Sequence, residues 1–281
     1  MKTNSIEIIE EYTKNEQVRK SLIAFLKPHE TQALFLLGNL QSRFQPSCVY
    51  VAQQQGQIVG VCGYYPTFQS CSIYSESPDA SRALAQVVLK NHSSVNTLTG
   101  MARMVKPAYD EFIARGRVPT IAPEMDFFEL SVKNFKPFTS SDGIIRPITD
   151  HDVDDAARLN RLIHHKSIED PIKEEERLRV KAISITFCLE IDGKFVAVAS
   201  SNGLAIKAFQ ILGVATHPDF QRKGYAKAVC SHLILSMQEK GAEKAIIFTG
   251  EENVAARKCY LDLGFQITDR YYVGMFQPVA E

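Results

Sequence analysis

Residues 214–229, VATHPDFQRKGYAKAV, decide how the C-terminal half of the chain folds. The stretch begins with apolar residues, passes through Pro218 and two adjacent cations, and reaches Gly224 before a helical pattern starts. Because proline interrupts the hydrogen-bond ladder of a strand, the apolar part predicts a strand over residues 209–216 that ends just before the proline. The stretch therefore predicts a strand that turns directly into a helix.

The residues after Gly224 predict an amphipathic helix. Its apolar side chains recur every three or four residues and so share one helix face: Ala226, Val229, Cys230, Leu233, Ile234 and Met237. The start of a helix carries unpaired N–H groups and the positive end of the helix dipole. Gly224 and Ala226 leave room for an anion to reach those groups, and the two cations add charge beside them. The geometry suits a pyrophosphate, although a short glycine motif on its own more often marks a tight turn with solvated cations.

A second informative segment, EENVAARKCYLDLGF at residues 251–265, follows a predicted strand over residues 245–248. Four of its residues lie three or four positions apart and therefore share one face of a predicted helix: Asn253, Ala256, Tyr260 and Leu263. Gly264 suits the end of that helix. On its own, the segment indicates an amphipathic helix with a core tyrosine.

Together and in this order, the two segments resemble the GNAT N-acetyltransferase superfamily. The family's phosphate loop, Gln/Arg-x-x-Gly-x-Gly/Ala, is matched by Gln221, Gly224 and Ala226. Its later segment has Asn, then Ala, then Tyr before Leu-Gly-Phe, as residues 253–265 do.

The opening of the second half, IIRPITDHDVDDAARL at residues 144–159, is also similar to the first strand and helix of that family. The resemblance extends over about residues 144–276. It implies an α/β (α+β) fold in which a mixed, mostly antiparallel twisted sheet is flanked by helices.

The chain also contains a weak internal duplication. SCVYVAQQQGQIVGVCGYY at 47–65 and ITFCLEIDGKFVAVASSNG at 185–203 each predict a β-hairpin within the same order of helices and strands. A segment rich in turn-forming residues, 134–143, separates the halves. We therefore predict two similar domains in tandem: residues 1–135, a degenerate GNAT-like domain without the phosphate loop, and residues 144–281, an acetyl-CoA-binding N-acetyltransferase domain.

The composition narrows the class of protein. Lys+Arg and Asp+Glu both number 32, so the chain lacks the basic excess expected of a protein that binds nucleic acid or anionic membranes. The six cysteines form no Cys-x-x-Cys pair, which favours reduced core residues over a metal site, with the disulfide framework of a secreted protein as the weaker alternative. The acidic, amphipathic N-terminus does not resemble a signal peptide, so a cytoplasmic location is expected.

The resemblance assigns roles to individual positions. The strand before the phosphate loop would bind the pantetheine arm of acetyl-CoA through backbone groups of Val214, Ala215 and Thr216, and the Val214 N–H would polarise the thioester carbonyl. The pyrophosphate would bind the loop and the helix start: Gln221, Arg222, Lys223, Gly224, Tyr225 and Ala226. Asn253 would contact the cofactor arm, and Tyr260 would protonate the departing thiolate.

The implied reaction is direct attack of an amine on acetyl-CoA in a ternary complex. Gln210 stands where some family members carry a glutamate base, so the base is left open among four candidates: Glu190, Glu251, His217 or a water chain. His164-His165-Lys166 could line the acceptor site, although a polar helix end explains them equally well.

Three alternatives stay open at this point. The acceptor could be a small molecule, an amino acid or a peptide, and the acyl group could be longer than acetyl. A regulatory protein that binds acyl-CoA with little turnover is favoured slightly by Gln210, whereas Tyr260 and Asn253 favour an enzyme. The N-terminal half could recognise the acceptor or form a homodimer.

Overall fold

The structure, a computed structural model, describes residues 5–11, 15–41, 48–120, 124–163 and 166–278. The chain divides into two compact units. The first unit comprises Met1–Phe127 and Thr268–Glu281, and the second comprises Phe128–Ile267. The predicted domain limits, 1–135 and 144–281, stay a prediction.

The helices and strands follow one another in an alternating α/β order. In chain order they are β1 (Ile6–Glu11), α1 (Glu16–Leu26), α2 (Leu34–Gln41), β2 (Cys48–Gln54), β3 (Gln57–Tyr65), β4 (Ser70–Ser75), α3 (Pro78–Asn91), β5 (Thr97–Met101), α4 (Ala102–Ala114), β6 (Glu124–Ser131), β7 (Ile144–Pro147), α5 (Val153–Ile163), α6 (Glu174–Ala182), β8 (Ile185–Ile191), β9 (Lys194–Ser201), β10 (Ala208–Gln210), β11 (Leu212–Thr216), α7 (Tyr225–Glu239), β12 (Lys244–Thr249), α8 (Val254–Asp262) and β13 (Gln266–Met275).

The first unit is a mixed sheet covered by helices. Its strands neighbour one another in the order β1, β2, β3, β4, β5, β13, and the pairing is antiparallel except between β4 and β5. Leu84 of α3 and Phe112 of α4 are fully buried against strand residues such as Ile73 and Leu98. The apolar helix faces therefore cover the sheet.

The second unit repeats this order of elements. Its antiparallel sheet runs β11-β9-β8-β7, and β10 pairs in parallel with β12. Ala197 and Ala199 of β9 pack in the core cluster that holds α7, whereas Val198 packs under Leu159 of α5. Because successive strand residues point to opposite faces, α7 and α5 cover opposite faces of the sheet. The predicted α/β fold with a mostly antiparallel, helix-flanked sheet is confirmed.

The segment predicted as one strand over residues 209–216 is divided into β10 and β11. Phe209 pairs with Ala245 of β12, and the Ile211 N–H still donates to the Ile246 carbonyl over 2.9 Å. Beyond this point the chain pairs only with β9, and the register shifts between Leu212 and Ala215. The division arises because the segment changes partners, from β12 on one side to β9 on the other.

The cysteines of the chain are all free thiols. All six cysteines are free, and all but Cys259 are fully buried. In the described ranges, no group of three His, Cys, Asp or Glu residues is placed to hold a metal ion. None of the helices described is long and apolar enough to cross a membrane.

An arginine at the edge of the second unit joins three elements. Arg146 of β7 donates to both carboxylate oxygens of Asp152, over 2.7 and 2.9 Å, and to Glu190 of β8 over 2.7 and 3.0 Å. Asp152 also accepts the Thr149 N–H over 2.7 Å, which completes a capping box before α5. The Arg146 guanidinium lowers the pKa of the Asp152 carboxyl well below its usual range.

We predict that Asp152→Asn destabilises the protein by about 2 kcal/mol at pH 7, the order expected for charge-assisted hydrogen bonds. The folded-state pKa of Asp152 is lowered, so its contribution is complete above the ordinary aspartate value of about 4 and declines as the pH falls below it. Urea unfolding at pH 7 and pH 3 should show a smaller difference from wild type at pH 3. Asp155→Asn, at an exposed position of α5, is the control, and an equal effect of both changes would contradict the prediction.

Candidate functional site

The backbone of β11 offers hydrogen-bonding groups on its open side. The His217 N–H donates to the Val196 carbonyl of β9 over 2.8 Å, and Ala215 pairs with Val198 in the same register. Since alternate residues of an antiparallel strand bond to the same neighbour, the N–H and C=O groups of Val214 and Thr216 point away from β9. That side is no longer bonded to β12, so these groups face a space open to a ligand with an extended polar chain, although the Gln221 side chain already donates to the Thr216 carbonyl over 3.4 Å.

The loop after β11 leaves the start of α7 without a side-chain cap. Gly224 is the N-cap residue, with φ of 83°, and within the described part of the chain the helix has no side-chain cap hydrogen bond. Arg222 is also left-handed, with φ of 64°, and both Arg222 and Lys223 are exposed. The uncapped amides, the helix dipole and the two cations make this helix start able to bind an anion.

The corresponding helix start of the first unit is built differently. The Ser77 hydroxyl caps α3 by accepting the Ala80 N–H over 3.1 Å, and Asp79 lies in the first turn. A hydroxyl therefore takes one of the free amides, and a carboxylate supplies the negative charge that the dipole favours. The chain itself thus supplies this helix start with an acceptor and a negative charge.

The segment 134–143, predicted only as a junction, packs against the start of α7. The Phe138 N–H donates to the Ser231 hydroxyl over 2.9 Å, and the Lys227 ammonium lies 4.2 Å from the centre of the Phe138 ring. A side chain at Gly224 would meet that ring, since its Cβ would lie 3.0 Å from Phe138 Cζ. Sequence analysis missed Phe138, because nothing in its local pattern indicates a contact almost ninety residues away.

Two of the remaining predicted residues have constrained side chains. The Tyr225 hydroxyl donates to Asp142 over 2.8 Å and its ring is buried, so Tyr225 offers only its backbone N–H to an anion. Asn253 is the N-cap of α8, where its side-chain oxygen accepts the Ala256 N–H over 3.1 Å. It precedes the helix instead of lying on its face, and its amide NH₂ is the part that could contact a ligand.

Tyr260 lies inside the core on α8. It is 4% exposed and packs edge-on against Phe128, with 5.6 Å between ring centres. Burial raises the pKa of the Tyr260 hydroxyl well above its ordinary value. The phenol therefore stays protonated near neutral pH and can donate a proton but not accept one.

Gln221 of the loop before α7 is exposed, and its side chain donates to the Thr216 carbonyl over 3.4 Å.

Two of the side chains predicted as candidates for the general base, Glu190 and His217, are engaged in hydrogen bonds. Glu190 is held by Arg146. The Nδ1 atom of His217 accepts the Asp219 N–H over 3.3 Å, so a neutral His217 carries its proton on Nε2. Glu251 is exposed in the turn before α8. Lys166 is exposed as well, and the two histidines before it lie outside the described residues.

A group of polar side chains on the α5 face of the sheet was not predicted. Thr186 and Ser200 are buried, and their hydroxyls are 2.9 Å apart. Asn160 of α5 directs its side-chain oxygen towards Gly213, where β11 diverges from β12. We call Asn160, Thr186 and Ser200 the polar cluster. A hint in the sequence is the serine pair that closes the apolar strand β9.

Part of the second unit is similar in sequence to known acetyltransferases. Residues 154–265 match the model of the Acetyltransferase (GNAT) family. Over 91 residues the chain is 31% identical to the [ribosomal protein bS18]-alanine N-acetyltransferase of Escherichia coli K12. The aligned segment is 31% of this chain and 61% of that protein. The chain thus spans about three-fifths of the length of the curated relatives it matches. The match to the Acetyltransferase (GNAT) family model therefore falls entirely within the second unit.

Two solved structures share the fold over almost the whole chain. A Drosophila protein is 13% identical, with a TM-score of 0.63 over 95% of this chain and 98% of its own. A tandem GNAT protein from the clavulanic acid biosynthesis pathway is 10% identical, with a TM-score of 0.61 over 98% of each chain. At such identities the likeness concerns the fold alone.

We predict that inorganic pyrophosphate raises the melting temperature of the protein by binding at the start of α7. Gly224→Glu should weaken this binding about tenfold or more, since it places a negative charge among amides that otherwise contact the anion. Thermal shift as a function of pyrophosphate concentration measures the effect. Gly241→Glu is the matched control, because Gly241 also has a positive φ, 92°, but no atoms within 4 Å of its would-be Cβ. Equal pyrophosphate affinity of the two variants would contradict the prediction.

Proposed function

We propose that the second unit binds acetyl-CoA and transfers its acetyl group to a primary amine. The observation that carries the proposal is the juxtaposition of two features around one loop. One is a strand, β11, with backbone groups turned to its open side, and the other is the uncapped start of α7. A ligand with a polar extended arm joined to a pyrophosphate satisfies both.

Each part of acetyl-CoA has a proposed partner in the second unit. The groups of Val214 and Thr216 that point away from β9 would bond to the amides of the pantetheine arm. The amides of residues 222–226 would bind the pyrophosphate, with Arg222 and Lys223 adding charge at the surface. The Asn253 side-chain amide, whose oxygen caps α8, would donate its NH₂ to the arm.

The chemical step needs little from the protein beyond position and charge. A neutral amine attacks the thioester carbon, a C–N bond forms, and the C–S bond breaks. The Val214 N–H would stabilise the negative charge that develops on the carbonyl oxygen. The amine loses one proton to water, and the departing thiolate takes a proton from the Tyr260 hydroxyl, which is then reprotonated from solvent.

We assign no side chain as general base. Glu190 is bound to Arg146, and His217 Nδ1 already accepts a backbone N–H. Glu251 is exposed in the turn before α8, and Gln210 cannot accept a proton. Loss of the ammonium proton to solvent before attack fits these contacts. The rate should then follow the fraction of the acceptor that is unprotonated.

The first unit is proposed to be a degenerate GNAT-like domain that binds no coenzyme. Its order of elements matches that of the second unit, but Ser77 and Asp79 occupy the helix start that would receive the pyrophosphate. We propose that the first unit either recognises the acceptor or forms a homodimer.

The acceptor is proposed to be a primary amine of a small molecule or of a peptide. The E. coli relative is named for the alanine of a ribosomal protein, so a peptide with an N-terminal alanine belongs among the amines to test. Binding of acetyl-CoA without transfer would favour the alternative of a regulatory acyl-CoA-binding protein, and faster use of longer acyl-CoAs would favour an acyltransferase of wider specificity.

We predict release of free CoA from acetyl-CoA in the presence of at least one amine from a panel. The panel comprises an N-terminal alanine peptide, glycine, other amino acids, spermidine, glucosamine and tyramine, and free thiol is measured with a chromogenic disulfide. Mass spectrometry should find the amine heavier by one acetyl group. If acetyl-CoA neither raises the melting temperature nor is consumed, the proposal is wrong.

We predict that Tyr260→Phe lowers kcat about a hundredfold, the lower end of general-acid effects, because a thiolate leaves readily. The KM for acetyl-CoA should not change, since the ring keeps its core contacts. The rate of the wild type should rise with pH until the acceptor is unprotonated. At pH values up to 10 the rate should not decline again, because the raised pKa of Tyr260 keeps its hydroxyl protonated. Tyr109→Phe, in the first unit, is the control, and an unchanged kcat in Tyr260→Phe would rule out the proton-donor role.

A further inference from the structure

One buried hydrogen-bond acceptor in the second unit has no partner within the described chain. The side-chain oxygen of Asn160 is shielded from solvent and accepts no hydrogen bond. Such an atom destabilises the free protein, because it has lost its bonds to water without replacing them. Buried polar atoms of native proteins are otherwise almost always paired, so an unpaired acceptor calls for an explanation such as a role in catalysis.

The position of this oxygen relates it to the proposed reaction. It lies 3.3 Å from the place where a side chain of Gly213 would begin, and the Ser200 hydroxyl lies 3.4 Å from the same place. Gly213 directly precedes Val214, the residue proposed to hold the thioester carbonyl. Both polar groups therefore converge on the point of the strand where β11 has left β12.

The hydroxyls of the polar cluster add further capacity for hydrogen bonds. Thr186 and Ser200 share one bond of 2.9 Å. Two hydroxyls hold two hydrogens, so one hydrogen and several lone pairs stay available. Thr186 also lines a cleft of about 670 Å³ between the ends of α6 and α7, and Ser184 and Lys240 lie in the same cleft. Thr186 is therefore the member of the cluster that reaches this cleft, and it is bonded to Ser200 behind it.

The chemistry of the cluster selects its ligand. The unpaired oxygen requires a hydrogen-bond donor and disfavours a carboxylate, a phosphate or a bare carbonyl. Leu159, Val198 and Ala215 form an apolar patch on the same face of the sheet, and Asn160, Thr186 and Ser200 carry no charge. An uncharged amine meets these conditions better than an ammonium ion, which would lose its hydration without gaining a counter-charge.

We propose that the polar cluster is the recognition site for the amino group of the acceptor, with the Asn160 oxygen accepting an N–H hydrogen of the neutral amine. This inference rests on the proposed function and specifies the acceptor subsite. Asn160 accepts a hydrogen bond and takes up no proton, so it is a positioning residue. The bond directs the nitrogen lone pair towards the thioester carbon beside Val214.

The test compares Asn160→Leu with wild type, using the panel amine that wild type acetylates fastest. We expect the KM for that amine to rise about tenfold, the weight of one hydrogen bond, while the KM for acetyl-CoA stays the same. The melting temperature should not fall, because no bond is lost in the free protein. Asn160→Ala replaces Asn160→Leu if the larger side chain prevents folding.

Asn160→Asp gives a second measurement that a purely structural residue would not affect. A carboxylate at this place would hold the acceptor as its ammonium ion, so the rise of kcat/KM with pH should move to higher pH. Asp155→Ala, at an exposed position of the same helix, should change neither constant.

Each outcome decides between the two proposals. If wild type acetylates an amine and Asn160→Leu keeps the same KM for it, this inference is wrong while the proposed function stands. A fall in melting temperature with unchanged acceptor kinetics would show that Asn160 is structural, which also overturns the inference. If wild type acetylates none of the amines, the proposed function fails and the inference fails with it.

Discussion

The arrangement of the second unit depends on one change of hydrogen-bonding partner. The chain runs beside β12 as far as Ile211 and then beside β9 alone from Leu212 onwards. A backbone that leaves a parallel neighbour without acquiring another must expose N–H and C=O groups, which otherwise remain paired in a sheet. The groups of Val214 and Thr216 are exposed in this way. Both the proposed cofactor contacts and the convergence of the polar cluster on Gly213 follow from this divergence.

The two units show how a shared order of elements can support different chemistry. Each has a helix that follows a strand and packs its apolar face on the sheet. In one, Ser77 caps the helix and Asp79 provides a negative charge, whereas in the other Gly224 leaves the amides free. Two or three residues at a helix start thus decide whether the chain itself satisfies the helix dipole or leaves the amides open to an anion.

Sequence analysis succeeded where the information is local and failed where the partner is distant. The strand, the loop and the apolar face of α7 follow from residues within 214–237, and the structure contains them. Glu190 was a candidate base because a strand position does not reveal its neighbour, and the structure pairs it with Arg146. Phe138 and Asn160 were missed for the same reason, since each acts on a residue more than fifty positions away.

The sequence by itself determined the identity of the elements, the glycine that frees the start of α7 and the family that these motifs define. Those features depend on spacing and on the conformational range of single residues, which the order of amino acids records directly. Only the tertiary structure decided that the chain leaves β12 after Ile211 and that the Asn160 oxygen lies beside the diverging strand with no partner among the described residues. These depend on contacts between segments far apart in the chain, and no local pattern specifies which side chains such packing brings together.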